Sequence, residues 1–296
     1  MLPLYCVIAT CRRPVLLKRT LSSIVICPKP ENFQGIIVVE NGPRCGVEEM
    51  IRQDFSEQKI FYFFLEEADK SKALNFALRE FPGSLFYFLD DDVRLSETAL
   101  MAVAGAASKI GERFFLGGPL GVDYEKEPPA WRRSFLTFSA KGWSLDVNEL
   151  TAHNDANFLG GNWVAMSDDL LKEGGFSLDM GPSKCAGGEE GAMQRKLIRS
   201  GITGYYVPQA KAWHYVPKER CSVKWALKRE YRNGEEGALC FKKEGRWKSL
   251  VKETACFFCN ILILPVMFCF GKKRVFGCFH GISRGFGFFC GLLRRP

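Results

Sequence analysis

Four apolar runs, Leu4–Thr10, Gly35–Asn41, Ile60–Leu65 and Leu85–Leu89, mark out the start of the chain, and each breaks off at a polar or charged residue. Within them apolar residues follow one another instead of alternating with polar ones. That is the pattern of strands covered on both faces, as in the parallel sheets of α/β proteins. Stretches with helical spacing separate them: Pro14–Ile24, then Ser71–Phe81, stopped by Pro82-Gly83, and Ser96–Lys109, with Ser96 as N-cap and Gly111 as stop. Strand and helix alternating in this way predict a doubly wound sheet flanked by helices. The segments Thr10-Cys11-Arg12, Glu40-Asn41-Gly42 and Asp90-Asp91-Asp92 then share the carboxyl edge, where such sheets bind ligands.

The middle of the chain, Gly117 to Asn157, is rich in Gly, Pro, Trp and charge and has little periodicity. Order resumes with a strand over Leu159–Met166 and a short helix opened by Ser167-Asp168-Asp169 and ended by Gly174-Gly175. The pattern then predicts a helix from Glu189 to Gly201, strands over Gly204–Pro208 and Ala210–Val216, and a long amphipathic helix from Val223 to Lys243.

The net charge of +8 is unevenly spread: the part from Val216 onward carries +11, and the preceding part carries −3. A mildly acidic body with a basic tail does not suit a nucleic-acid binder, so no nucleic acid is expected as partner. Met1 to Cys11 runs straight into the first strand with no basic region, no apolar stretch of signal length and no small-residue cleavage site, so no signal peptide is expected. The sole Cys-x-x-Cys, Cys256 with Cys259, lies in an apolar run without a second ligand pair, and the cysteines read as reduced thiols.

Three consecutive carboxylates after Leu85-Phe86-Tyr87-Phe88-Leu89 repel one another unless a cation offsets them. A divalent metal with hard oxygen ligands, Mg²⁺ or Mn²⁺, meets that need, and Asp90 and Asp92 point the same way in an extended segment. A solvated acidic turn is the plain alternative. A second acidic pair, Glu189-Glu190, follows Gly187-Gly188 and opens a good helix former; alone it reads as favourable charge at a helix start. His214, within Trp213-His214-Tyr215, is either a packed core histidine or a third metal ligand.

Taken in order, these segments resemble the nucleotide-sugar-dependent family 2 glycosyltransferases of the GT-A fold, over roughly Leu4 to Tyr231. The resemblance implies a doubly wound mixed sheet flanked by helices, to which the composition beyond it adds a C-terminal apolar and amphipathic helical tail. It implies that Thr10 and Arg12, in Val7-Ile8-Ala9-Thr10-Cys11-Arg12, lie beside the nucleotide. Glu40 and Asn41 would hold the base or ribose, and Lys72 and Asn75, in Lys72-Ala73-Leu74-Asn75, would lie near the diphosphate and base. Asp90-Asp91-Asp92 matches the Asp-x-Asp metal motif, with Asp92 the direct ligand, Asp90 nearer the ribose, Asp91 on the nucleotide side and His214 a further ligand. Gly160-Gly161-Asn162 and Trp163 would face the acceptor. Glu190 takes the place of the general base, with Glu189 as alternate, although the family commonly has Glu-Asp there.

By the same resemblance, residues 1–220 form the catalytic domain, with a nucleotide-binding half over 1–115 and an acceptor half over 116–220. Residues 221–254 form a helical connector and 255–296 a membrane-associating tail. The implied reaction is an inverting, metal-dependent transfer of one sugar from a nucleotide-sugar donor to a hydroxyl of a glycan or lipid-linked acceptor. Lys243 replaces the Gln of the Gln-x-x-Arg-Trp signature of processive synthases, leaving Arg246-Trp247, which favours a single transfer. A catalytically silent binding relative and a sugar-phosphate nucleotidyltransferase are the alternatives; the loop Thr10-Cys11-Arg12-Arg13-Pro14 lacks the glycines of the second.

Ala255 to Phe270 is apolar but short for a membrane span, and Gly271-Lys272-Lys273-Arg274 follows it. With the aromatic run from Val275 to Leu293, this predicts a peripheral or monotopic anchor on the cytoplasmic side of a membrane, Arg284 and His280 at headgroup level. A helical hairpin packed on the protein itself is the alternative.

Overall fold

A computed structural model describes residues 2–155, 158–178, 188–244 and 247–293. The four apolar runs form β1 (Leu4–Thr10), β2 (Phe33–Asn41), β3 (Ile60–Leu65) and β4 (Leu85–Asp90), with β1 parallel to both β2 and β4 and β2 parallel to β3. Thr10 stands opposite Glu40 and Ala9 opposite Asp90, so the polar strand ends do share one edge.

Beyond them the chain adds β5 (Val93–Leu95), β6 (Phe114–Gly117), β7 (Leu120–Tyr124), β8 (Thr151–Ala152), β9 (Trp163–Met166), β10 (Thr203–Tyr206) and β11 (Ala212–Val216). Eight strands make one sheet in the order β3-β2-β1-β4-β9-β6-β10-β8. β9 runs against both β4 and β6, which makes the sheet mixed. β5, β11 and β7 form a second, three-stranded sheet that the sequence pattern did not reveal.

Apolar residues on both faces of the central strands explain the uninterrupted runs. Ile8, Val38, Tyr87 and Leu89 face one core, shared with α1 (Pro14–Val25), α2 (Val47–Asp54) and, among later helices, Leu100 and Val103 of Ala99–Ile110. Val7, Val39, Phe86 and Phe88 face the other, beneath α3 (Lys70–Glu80). The helix Ala99–Ile110, α4, begins three residues after the expected cap: Thr98, not Ser96, is its N-cap and makes no side-chain capping bond. Downstream lie α5 (Ala130–Arg133), α6 (Phe138–Lys141), α7 (Ser167–Lys172) and α8 (Glu189–Arg199), of which α7 and α8 close the second core through Leu170, Met193 and Leu197.

The chain divides into two compact units, one of residues 1–123 with 142–215, the other of 124–141 with 216–296. The first holds the sheets. In the second, α9 (Val223–Glu244), α10 (Trp247–Met267) and α11 (Lys272–Leu293) follow one another. α11 lies against α9 so closely that a Cβ on Gly287 would collide with the Tyr231 carbonyl and one on Gly291 would come 2.8 Å from Ala238 Cβ. Here glycine permits backbone approach.

Arg284 and His280, expected at headgroup level, are engaged within this unit. Arg284 donates to both carboxylate oxygens of Glu253 at 2.8–3.0 Å, and its Nη1 lies 3.7 Å from Glu230. His280 lies between Phe135, Phe276 and Glu230. α10 begins eight residues before the expected apolar stretch, at Trp247, and contains Pro265 two residues before its end at Met267. The stretch Leu250–Phe270, 21 residues with mean hydropathy 1.9, is long and apolar enough to cross a membrane by length and composition, and no part of its apolar window is buried. Of the processivity signature, Arg246 and the Lys243 side chain lie outside the described residues.

Candidate active site

Two carboxylate clusters form at the carboxyl edge of β1 and β4. The first is built on the turn from β4 into β5. Thr10 donates its hydroxyl proton to Asp91 Oδ2 at 2.7 Å, and Asn41 ties the same strand end by donating to the Thr10 carbonyl at 2.9 Å. Arg13, at the N-cap of α1 and swung back by Pro14 at the first helical position, reaches Asp91 Oδ1 and Asp92 Oδ2, each at 3.1 Å. His214 comes from β11, whose register places it opposite Val93, and its Nε2 lies 3.4 Å from Asp92 Oδ1. The Tyr215 amide donates to the Asp92 carbonyl at 2.8 Å, so the strand pairing extends to the aspartate itself. Burial pushes Asp91 up to about 6 against the pull of Arg13 and the Thr10 hydrogen bond.

The second cluster joins distant parts of the chain around Lys70. Its ammonium donates to Asp90 Oδ1 at 2.7 Å and to Glu190 Oε1 at 2.6 Å, and lies 3.7 Å from Glu189 Oε1. Burial works against its charge, but Asp90, Glu190 and Glu189 outweigh it and hold the ammonium well above the ordinary lysine range. Burial, then the adjacent Glu190 carboxylate, push Glu189 up to about 7 although Lys70 opposes both. Glu189 Oε2 is buried and has no hydrogen-bond partner among the described residues. The Gly160–Gly161 backbone closes the cluster from the other side: a Cβ on Gly160 would collide with Glu190 Oε1, and one on Gly161 would sit 3.2 Å from Asp90 Oδ2.

Of the expected site residues, the structure brings together Thr10, Asp90, Asp91, Asp92, His214, Glu189, Glu190 and Gly161. Arg12 is exposed beside them with a left-handed φ of 58°. Glu40 is buried and accepts from the Cys45 amide at 2.9 Å, the Cys45 thiol at 3.1 Å and the Tyr62 hydroxyl at 2.5 Å. Three expectations change. Asn162 and Trp163, read as acceptor contacts, are interior: Asn162 accepts from the Tyr87 hydroxyl and donates to the Pro119 and Ala210 carbonyls, while Trp163 stacks on Phe88 at 4.8 Å. Asn75 spends its amide on the backbone of Phe176, holding α3 to the chain after α7. Lys72 turns to Glu67, so the cations at the carboxylates are Lys70 and Arg13. Gly187 lies outside the described residues.

Lys70 and Arg13 went unread because pairing over such sequence distances leaves no local pattern. One signal existed: a lysine in the first turn of a helix opposes the helix dipole, and its position calls for a tertiary reason.

Among the described residues, no three His, Cys, Asp or Glu side chains are grouped to hold a metal ion. Asp92 and His214 form a pair of oxygen and imidazole donors, while Asp90 is turned to Lys70. Two protein donors fit a Mg²⁺ or Mn²⁺ whose remaining positions are filled by diphosphate oxygens and water.

Residues 3–235 match the family model described as glycosyltransferase like family 2. The succinoglycan biosynthesis protein ExoM of Rhizobium meliloti is 28% identical over 248 residues, 80% of this chain and 74% of ExoM. Among solved structures, the mannosyltransferase PcManGT of Pyrobaculum calidifontis, in complex with GDP-Man and Mn²⁺, aligns with TM-score 0.58 at 16% identity, over 95% of this chain and 86% of that one. GalNAc-T7 with UDP, GalNAc and Mn²⁺ aligns with TM-score 0.58 at 14% identity, over 80% of this chain and 51% of that one. Residues 1–349 of S. aureus TarS align with TM-score 0.53 at 11% identity, over 78% and 65%. The chain thus spans about half the length of GalNAc-T7 and just under two thirds of the TarS fragment. At these identities the likeness is one of fold, the GT-A fold.

Proposed function

Because the chain belongs to the family 2-like glycosyltransferases, we propose that it moves a single sugar, with inversion, from a nucleotide-sugar donor to a hydroxyl of a glycan or lipid-linked acceptor. The observation that carries this reading is the convergence of Asp90, Asp92, His214 and the Glu189–Glu190 pair on one sheet edge. Thr10, Arg12, Glu40 and Asn41 lie at the ends of β1 and β2 and serve the nucleotide. A divalent cation, held by Asp92 and His214, would neutralise the charge that develops on the departing diphosphate.

Glu190 accepts the proton of the attacking hydroxyl. It is favoured over Glu189 by access: its side chain is 11% exposed against 2% for its neighbour. A base must come within hydrogen-bond reach of its substrate, and the deeper carboxyl is shut away.

The acceptor class draws support from the second unit. The exposed apolar face of α10, with Phe258, Leu262 and Val266, ends beside the exposed Lys272, Lys273 and Arg274. An apolar face flanked by cations suits an anionic membrane surface, where lipid-linked acceptors are found. On this reading α10 meets lipid and α11 is the support behind it.

The test is nucleotide release from a panel of UDP- and GDP-sugars with and without Mn²⁺. The expected result is metal-dependent turnover of at least one donor that Asp92→Ala and Glu190→Gln each lower by about 10³-fold. Near wild-type turnover by Glu190→Gln would remove the base assignment.

A further inference from the structure

We propose that Lys70 is a positioning residue for the base: its ammonium ties Glu190 to Asp90 and so sets the acceptor-side carboxylate against the donor-side edge of the sheet. This rests on the reading of Glu190 as the base. Asp90 ends β4 and Glu190 lies in the first turn of α8, far apart in the chain, and Lys70, from a third element, contacts both at 2.6–2.7 Å. It is the first residue of α3, after Asp69, whose side chain caps the helix by accepting from the Lys72 amide at 3.0 Å. A cation there works against the helix dipole, so local preference does not account for it.

A glutamate at a helix start has several free side-chain torsions and would sample many positions of its carboxyl. Two constraints remove that freedom here. Lys70 holds Oε1 from one side, and the backbone at Gly160 leaves no room on the other. The lysine side chain is 20% exposed, too sheltered for its ion pairs to be discounted as screened surface contacts. An interaction that fixes a base without touching the donor lowers turnover when lost and leaves donor binding alone.

The experiment compares Lys70→Met, Lys70→Arg, Glu190→Gln and the Lys70→Met/Glu190→Gln double variant. It uses the full chain, Mn²⁺ and the UDP- or GDP-sugar that the wild type turns over fastest. Lys70→Met is expected to lose about 100-fold in kcat with donor KM changed by less than about 3-fold, and Lys70→Arg to recover most of that loss. The double variant is expected to be no slower than Glu190→Gln alone, because the lysine acts through the glutamate.

A rise in KM at unchanged kcat in Lys70→Met would make Lys70 a donor ligand and overturn the proposal. So would multiplicative losses in the double variant, which would leave the base assignment standing. Full activity in Glu190→Gln would instead remove the base assignment and this proposal with it. Should Lys70→Met fail to fold, Lys70→Met/Glu189→Gln, which removes one of the uncompensated carboxylates, carries the same comparison; wild-type kcat in that variant would also overturn the proposal.

Discussion

The two carboxylate clusters at the sheet edge differ in how firmly their cations are held. Arg13 reaches Asp91 and Asp92 with a side chain that is 41% exposed, from the exposed start of α1. Lys70 sits among Asp90, Glu189 and Glu190 at 20% exposure, walled by the glycine backbone opposite. Arg13 is the more exposed cation although the carboxylates it meets, Asp91 and Asp92, are buried, whereas Lys70 is the more sheltered and bridges the part-exposed Asp90 to the buried Glu190. If the proposed metal binds at Asp92, Arg13 is the cation placed to give way to it, and Lys70 the one placed to stay.

The largest effects should come from the groups that do chemistry. Asp92→Ala and Glu190→Gln are each expected to lower turnover by about 10³-fold, with melting temperature and circular dichroism near those of the wild type. Comparable activity in both would erase the distinction between the clusters. Next comes Gly160→Ala, whose new methyl displaces the Glu190 carboxyl; about a 10-fold loss in kcat is expected, with donor KM little changed.

Arg13→Ala sharpens the comparison from the other side. If Arg13 competes with the metal for Asp91 and Asp92, its removal lowers the Mn²⁺ concentration for half-maximal activity by several-fold. A variant that needs more Mn²⁺ would show that the first cluster is not an exchange site.

Glu189→Gln reports on the second cluster through stability. The folded-state pKa of Glu189 is raised from the ordinary 4.5 to about 7, so its contribution is fully present below pH 4.5 and is lost as pH rises through about 7. The variant escapes that loss: urea unfolding should find it about 1–3 kcal/mol more stable than the wild type at pH 8 and level with it near pH 4.5. The smallest effect on catalysis belongs to the outer face of α10. Leu262→Glu/Val266→Glu should weaken cosedimentation with phosphatidylglycerol vesicles several-fold and leave turnover of soluble nucleotide sugars unchanged.

Much of the carboxyl edge of the sheet was legible in the sequence, because β1 to β4 are largely apolar runs that give way to polar residues at that edge. β1 and β3 match their expected limits residue for residue. The second sheet was not legible: Val93-Arg94-Leu95 is too short to show a period, and its partner strand lies far down the chain. α2 buries only Val47 and Ile51, too few to mark a helical stripe. Asn162 illustrates a different limit. A polar residue in a glycine-rich segment suggests a ligand contact, yet its amide is consumed by Tyr87, Pro119 and Ala210, which only the folded chain brings near.

The pairing of β5 with β11 turns a question of loop conformation into one of register. Asp92 precedes the first residue of β5 and His214 lies opposite Val93, so their separation is fixed by backbone hydrogen bonds between two strands. The pair therefore depends on the strand register and not on the conformation of a loop carrying either residue. A slip of one residue within β11, by contrast, would turn His214 to the opposite face of the sheet and put Trp213 or Tyr215 against Asp92. The proposed ligand pair is in this sense a property of strand pairing, held by the same hydrogen bonds that hold the second sheet together.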